Sequence, residues 1–197
     1  MVNRSILYVL SVVIGTVPLL LSTSGCALGN RHIALKYVAV GETLSATGQK
    51  VAITQFVDLR EKKDVGEVRN AYGMKTARVI ADNQDVGAWV ANAMTTELTQ
   101  AGFEVEKFTD VVPPEYKIQI SGVVSEAYAK MYMNATAQIT ANINITRSGV
   151  AVLSKEYSGK KAVLAVFVST GEYENAMQGA LQDLMKKCLP DVLEALK

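Results

Sequence analysis

The chain has 197 residues, is 49% hydrophobic, and carries 20 Lys and Arg against 19 Asp and Glu, a formal charge of +1. This length suits one domain with extras, and the apolar content excludes wholesale disorder. Balanced charge excludes a strongly basic nucleic-acid binder, and a single His with two Cys leaves little for a metal site or a His-dependent triad.

In chain order, Arg4 supplies a positive start and Ile6 to Leu21 forms a 16-residue apolar run. That run is short for a membrane span of about 20 residues and has the flank of a secretory leader. It closes on Ser24-Gly25-Cys26, which resembles the bacterial lipobox, although Thr23 stands where Leu is usual. The resemblance implies cleavage before Cys26, with acyl chains then added to that residue. The alternative for Cys26 is a buried or disulfide-forming thiol, whose only partner would be Cys188 on the apolar face of the last helix. Lipidation is the reading adopted, and several acyl chains anchor stably because each buried CH₂ contributes about 0.8 kcal/mol. Ala27 after the cysteine, rather than Asp, implies the outer membrane by the rules of such proteins. Loss of residues 1–25 removes Arg4 and no acid, so the formal charge falls to zero. The expected organisation is a signal peptide over 1–25, an acylated cysteine and tether over 26–32, and one domain over 33–197.

The domain begins with a strand expected over Ile33 to Val40 and a second over Lys50 to Val57, with Val51, Ile53 and Gln55 on one face. Asp58-Leu59-Arg60 ends the second strand, and Glu61 to Asn70 reads as a polar loop. Lys75 to Ile80 suggests a short strand. Asp82 to Asp85 is a capping cluster before a helix whose stripe is Val86, Trp89, Val90, Ala93, Met94, Glu97 and Leu98, with Gly102 at the position after its end. Phe103 to Phe108 is a short strand, and Tyr116 to Met133 a long extended run. Through Met133 to Thr146 apolar residues alternate with Asn, Gln and Thr, the pattern of a sheet with one face on the core. Arg147-Ser148-Gly149 is a hairpin turn, Val150 to Ser158 its return strand, and Lys161 to Val168 a further strand. A last helix starts near Gly171 with Tyr173, Ala176, Met177, Ala180, Leu181, Leu184 and Cys188 as its stripe, and Pro190 should kink or end it. The expectation is an α+β fold: a mostly antiparallel sheet with two amphipathic helices packed on one face.

The stretch Arg78 to Val86, the helix end Leu98 to Val105, and Val57-Asp58-Leu59-Arg60 after the second strand resemble the YajG family of bacterial lipoproteins. The order of elements from lipobox to C-terminal helix is also similar, over about residues 33 to 190. The resemblance implies an outer-membrane lipoprotein facing the periplasm, with no catalytic residues to carry over. Similar lipoprotein modules assemble into rings or bind a membrane-embedded partner.

Few residues stand out for chemistry. His32 sits in the tether, where nothing preorganises partners for it. Asp58 and Arg60 are either a charged site at a strand end or a local cap and ion pair. Tyr128, Lys130 and Tyr132 share one side of the long extended run, through ordinary alternation or as an interface. Glu115, Glu126 and Glu156 read as surface acids, Trp89 and Cys188 as core. No cofactor, metal or nucleic acid is expected. The preferred function is a non-catalytic assembly, scaffold or accessory subunit held by its acyl chains, with a protein partner or self-association. The alternative is a module that binds envelope glycans or lipids.

Overall fold

A computed structural model describes residues 29–40, 48–70, 72–82, 85–109, 111–132, 134–164 and 169–197. The expected leader and Cys26 lie outside the described residues.

The strands are β1 (Arg31–Ile33), β2 (Lys50–Asp58), β3 (Gly66–Arg69), β4 (Lys75–Ala81), β5 (Glu104–Lys107), β6 (Ile118–Met131), β7 (Asn134–Arg147) and β8 (Val150–Leu164), with helices α1 (Val86–Gln100) and α2 (Thr170–Ala195). They form one sheet whose spine is β6. On one side β6 pairs antiparallel with β7 over its whole length, and β7 pairs antiparallel with β8. On the other side two strands lie end to end along it, both parallel: β2 from Val51 opposite Ile118 to Asp58 opposite Val124, then β3 from Gly66 opposite Ala129. β5 lies parallel to β2, while β4 pairs antiparallel with β3 and parallel with β1. The sheet is therefore mixed, not mostly antiparallel. Alternation in β7 correctly marks a one-sided antiparallel strand, but it says nothing about which way the short flanking strands run.

Both helices pack on the apolar face, α1 on β2, β5 and β6, and α2 chiefly on β8 and β7. Asp85 caps α1, its side chain accepting from the Ala88 N–H, and Gly102 takes φ +88° just past the helix end. Every residue of the two expected stripes is buried. Ile139, Ile143 and Ile145 of β7 are fully buried beneath α2 with Leu181 and Leu184. Gly159 in β8 allows the closest approach, because a Cβ there would meet Ala180 O at 2.1 Å. α2 also covers part of the free edge of β8: Asp183 accepts from the Lys160 N–H at 2.9 Å and Lys187 donates to Ser158 O at 2.9 Å. Open strand edges invite foreign pairing, and this ion pair occupies two of its groups.

Several local expectations change. Residues 34–40 are not a strand but a strap across both helices, because their backbone groups bond to helix side chains. The Ala34 N–H donates to Glu174, the Val40 N–H to buried Glu97, Trp89 Nε1 donates to Lys36 O, and Gln182 to Val38 O. β1 opens at Arg31, so Arg31 and His32 belong to the sheet rather than to a tether. In β2 a bulge between Ile53 and Phe56 puts Phe56 on the core side and leaves Gln55 exposed. β3 replaces the second half of the expected polar loop. β8 runs unbroken from Val150 to Leu164, absorbing the start of the extra strand, whose residues 165–168 lie outside the described residues. α2 continues through Pro190, since Pro190 and Lys186, which loses its backbone partner, are both exposed while Leu189, Val192 and Leu196 hold the last turns down.

Candidate functional site

The gap between β2 and β3 creates the most structured feature of the polar face. β6 continues past the end of β2, bulging between Val124 and Glu126, while the chain from Leu59 to Val65 swings outward before rejoining as β3. The Leu59 N–H still bonds Val124 O and the Ala129 N–H bonds Val65 O. Between them the carbonyl of Ala127 has no neighbouring strand, and the Arg60 guanidinium takes that place, donating from Nη1 at 3.1 Å. A second Nη1 contact reaches Asp64 O at 3.3 Å.

Asp58 holds Arg60 in place. Nε donates to Oδ1 and Nη2 to Oδ2, each at 2.9 Å, and the Arg60 N–H also donates to Oδ1. The two side chains are only 9% and 6% exposed. Burial pushes the Asp58 carboxyl up, but the hydrogen bonds and charge of Arg60 outweigh it and hold the group below its ordinary range. A two-pronged pair of this kind is strong and directional. With its N–H groups turned to Asp58 and two carbonyls, Arg60 braces the gap and has little left for an incoming anion.

Beside it, Tyr128 and Lys130 point to the polar side of β6 while Ala127, Ala129 and Met131 face the core. The Tyr128 hydroxyl donates to Glu67 Oε2 at 3.0 Å, and burial followed by that bond raises its pKa, so it stays a donor rather than a base. Glu67 also receives Arg69 Nε at 2.6 Å, and its backbone oxygen accepts from buried Tyr173 at 3.0 Å. Burial raises the Glu67 carboxyl, but Arg69 and Tyr128 together bring it below the usual range. Lys62 lies 5.9 Å from the Tyr128 ring centre, within cation–π range.

These groups wall an open cavity of about 440 Å³, lined by Leu59, Arg60, Glu61, Lys62, Ser125, Glu126, Ala127, Tyr128 and Lys130. Two separate sequence candidates, Arg60 and the Tyr128–Lys130 pair, thus meet in one place. Tyr132 does not join them; it lies past the end of β6 and is 57% exposed. Glu126, read from the sequence as a surface acid, lines the cavity, whereas Lys62 and Glu67 are not marked by the sequence, and only the pairing of β3 with β6 reveals Glu67. His32 sits 2.7 Å from Asp82 at the surface. Trp89 and Cys188 are core, the latter with a thiol pushed up to about 12 by burial. Among the described residues no helix is long and apolar enough to cross a membrane.

This architecture, two helices on a curled mixed sheet, recurs in solved structures. Protein XCC0632 from Xanthomonas campestris is 12% identical, with 83% of this chain and 95% of that one covered at a TM-score of 0.60. Another, an uncharacterized protein, is 6% identical over 83% of this chain and 99% of its own at 0.53. At such identities the likeness is one of fold. No curated protein matches the chain. The model of a family described as uncharacterized lipoprotein, the YajG family, matches residues 40–193, and the chain belongs to that family.

Proposed function

We propose that the protein is a lipoprotein acylated at Cys26, held in the outer membrane with its domain in the periplasm, and that it works without catalysis as an assembly or accessory subunit. Membership of a lipoprotein family supports the anchor. The observation that carries the contact role is the braced cavity beside β6. Its acids and bases are interleaved, with Glu61 and Glu126 next to Lys62 and Lys130, and its most buried charges are already paired. A surface of that kind complements another protein's mixed charges, with the half-buried Tyr128 ring as a rigid contact.

The test places a photoreactive residue at Lys130, which is exposed, in intact cells. A discrete crosslinked adduct that disappears when Lys62→Glu is added to the protein carrying the photoreactive residue is the expected result. An adduct-free protein in cells where it is normally expressed overturns the contact role. Cys26→Ser should release the protein from the membrane fraction, and unchanged partition with detergent refutes the anchor. A second reading, a glycan module, rests on the same cavity, whose volume and tyrosine face suit a sugar ring. Protection of the cavity by envelope oligosaccharides, with no protein adduct, would favour it.

A further inference from the structure

One end of the sheet differs from the other. There β3, β6 and β8 finish while β4 and β7 begin, so their termini stand side by side. Asn134 of β7 is opposite Leu164 of β8, Met131 of β6 opposite Ala135 and Val68, and Arg69 of β3 opposite Lys75 of β4. At a strand spacing of about 4.8 Å this makes a rim roughly 20 Å long. Large apolar or amphipathic side chains stand out along it: Leu164 (81% exposed), Tyr132, Tyr72 (87%) and Met74 (60%). Lys130 and Lys75 rise from the same strands immediately behind, with Arg78 further along β4. The opposite end has exposed valines, Val150 and Val152, beside the Ser148-Gly149 turn.

The chain enters the fold from the rim side. β1 runs parallel to β4 with Arg31 opposite Val79, and Asn30 accepts from the Arg78 N–H, so the described chain begins on the side of the sheet where β4 starts. Cys26 precedes Asn30 by four residues, a reach of no more than about 14 Å. From Arg78 back to Lys75 is about 10 Å of strand. A tether of that length is long enough for Cys26 to reach the rim and too short to reach the far end of β6, whose 14 residues span about 46 Å.

We infer that this rim is a membrane-docking surface: Tyr72, Met74, Tyr132 and Leu164 sit in the headgroup zone of the bilayer that holds the acyl chains, with Lys75 and Arg78 toward anionic headgroups. Tyrosine favours that zone because its ring is apolar and its hydroxyl wet, and exposed Leu and Met gain by burial there. The two cations add attraction to an anionic surface. Docking fixes the long axis of β6 upright and presents the Arg60–Tyr128 cavity sideways, above the membrane. The inference rests on acylation at Cys26.

The test uses the full acylated protein in phosphatidylethanolamine–phosphatidylglycerol vesicles. Tyr72→Cys, Tyr132→Cys and Val150→Cys are each labelled with the fluorophore NBD, all three positions being exposed and Cys188 buried. Mass spectrometry of the vesicle-bound protein reads acylation separately, so an absent lipid refutes the anchor without bearing on the rim. The expected result is dithionite reduction about tenfold slower at positions 72 and 132 than at 150, with blue-shifted emission at the first two. Equal rates at all three, or the slowest rate at 150, overturn the inference. Fast reduction at 72 and 132 in vesicles but slow in native outer-membrane fragments also overturns it, and assigns the rim to a protein cap.

Discussion

Replacing Arg60 by Leu tests the brace at the centre of the site. The substitution keeps an apolar stem of similar bulk but deletes the guanidinium, which leaves the Asp58 carboxylate buried without its main partner and the Ala127 carbonyl without a donor. Lys63, 3.5 Å from Asp58 but itself well exposed, compensates only in part. Removing one member of a buried pair costs about 3–5 kcal/mol, and the lower figure applies here because Lys63 remains. For a domain of this size roughly 3 kcal/mol lowers Tm by about 6–12 °C. The pH dependence is the sharper signature. In the native protein Asp58 titrates below its unfolded value of about 3.9, so its contribution is complete above that value and is lost as pH falls through the folded one. In Arg60→Leu the buried carboxyl prefers its proton, so its folded pKa lies above the unfolded one and the penalty is relieved on acidification. Urea unfolding followed from about pH 7 to about pH 3 should show the two proteins converging. A difference that is constant across that range, or below about 1 kcal/mol near neutrality, refutes the account of Arg60 as a buried brace.

Two further outcomes follow from packing. Gly159→Ala places a Cβ 2.1 Å from Ala180 O and 2.4 Å from Leu184 N, so α2 must lift from β8, costing about 1–3 kcal/mol despite the better strand propensity of alanine; an unchanged urea midpoint would mean the helix shifts freely. Cys188, with its thiol pushed up to about 12 by burial, should resist iodoacetamide at about pH 8 in the folded protein and react fully in guanidinium; rapid labelling of the native state would contradict its place in the core.

Much of the framework was legible because each helix carries its own signals. Asp85 and Gly102 bracket α1, and the stripes from Val86 and from Tyr173 mark which faces are buried. The β7 alternation likewise named its core residues. Pairing was not legible. Gly66-Glu67-Val68-Arg69 has the composition of a loop and becomes a strand only because Gly66 fits against the Ala129 carbonyl, 2.5 Å from where a Cβ would lie. The strap misleads for the opposite reason: Leu35 and Tyr37 alternate like strand residues, yet their neighbours bond to Glu97, Glu174 and Gln182, which no local pattern announces. At the site, Asp58 and Arg60 stood out in sequence, as did Tyr128 and Lys130. That they share a cavity depends on the bulge at Val124–Glu126 and on the break between β2 and β3.

The strap has a mechanical meaning. A pull on the protein through the residues before Asn30 runs along the axis of β1, so it loads the β1–β4 ladder in shear rather than peeling it bond by bond. That ladder is short, but the tension does not stop there. It passes into residues 34–40, and from them to Glu174 and Gln182 on α2 and to Trp89 and Glu97 on α1. The two helices and the sheet they cover therefore share any load that enters at β1, and this edge strand is tied into the core through the strap.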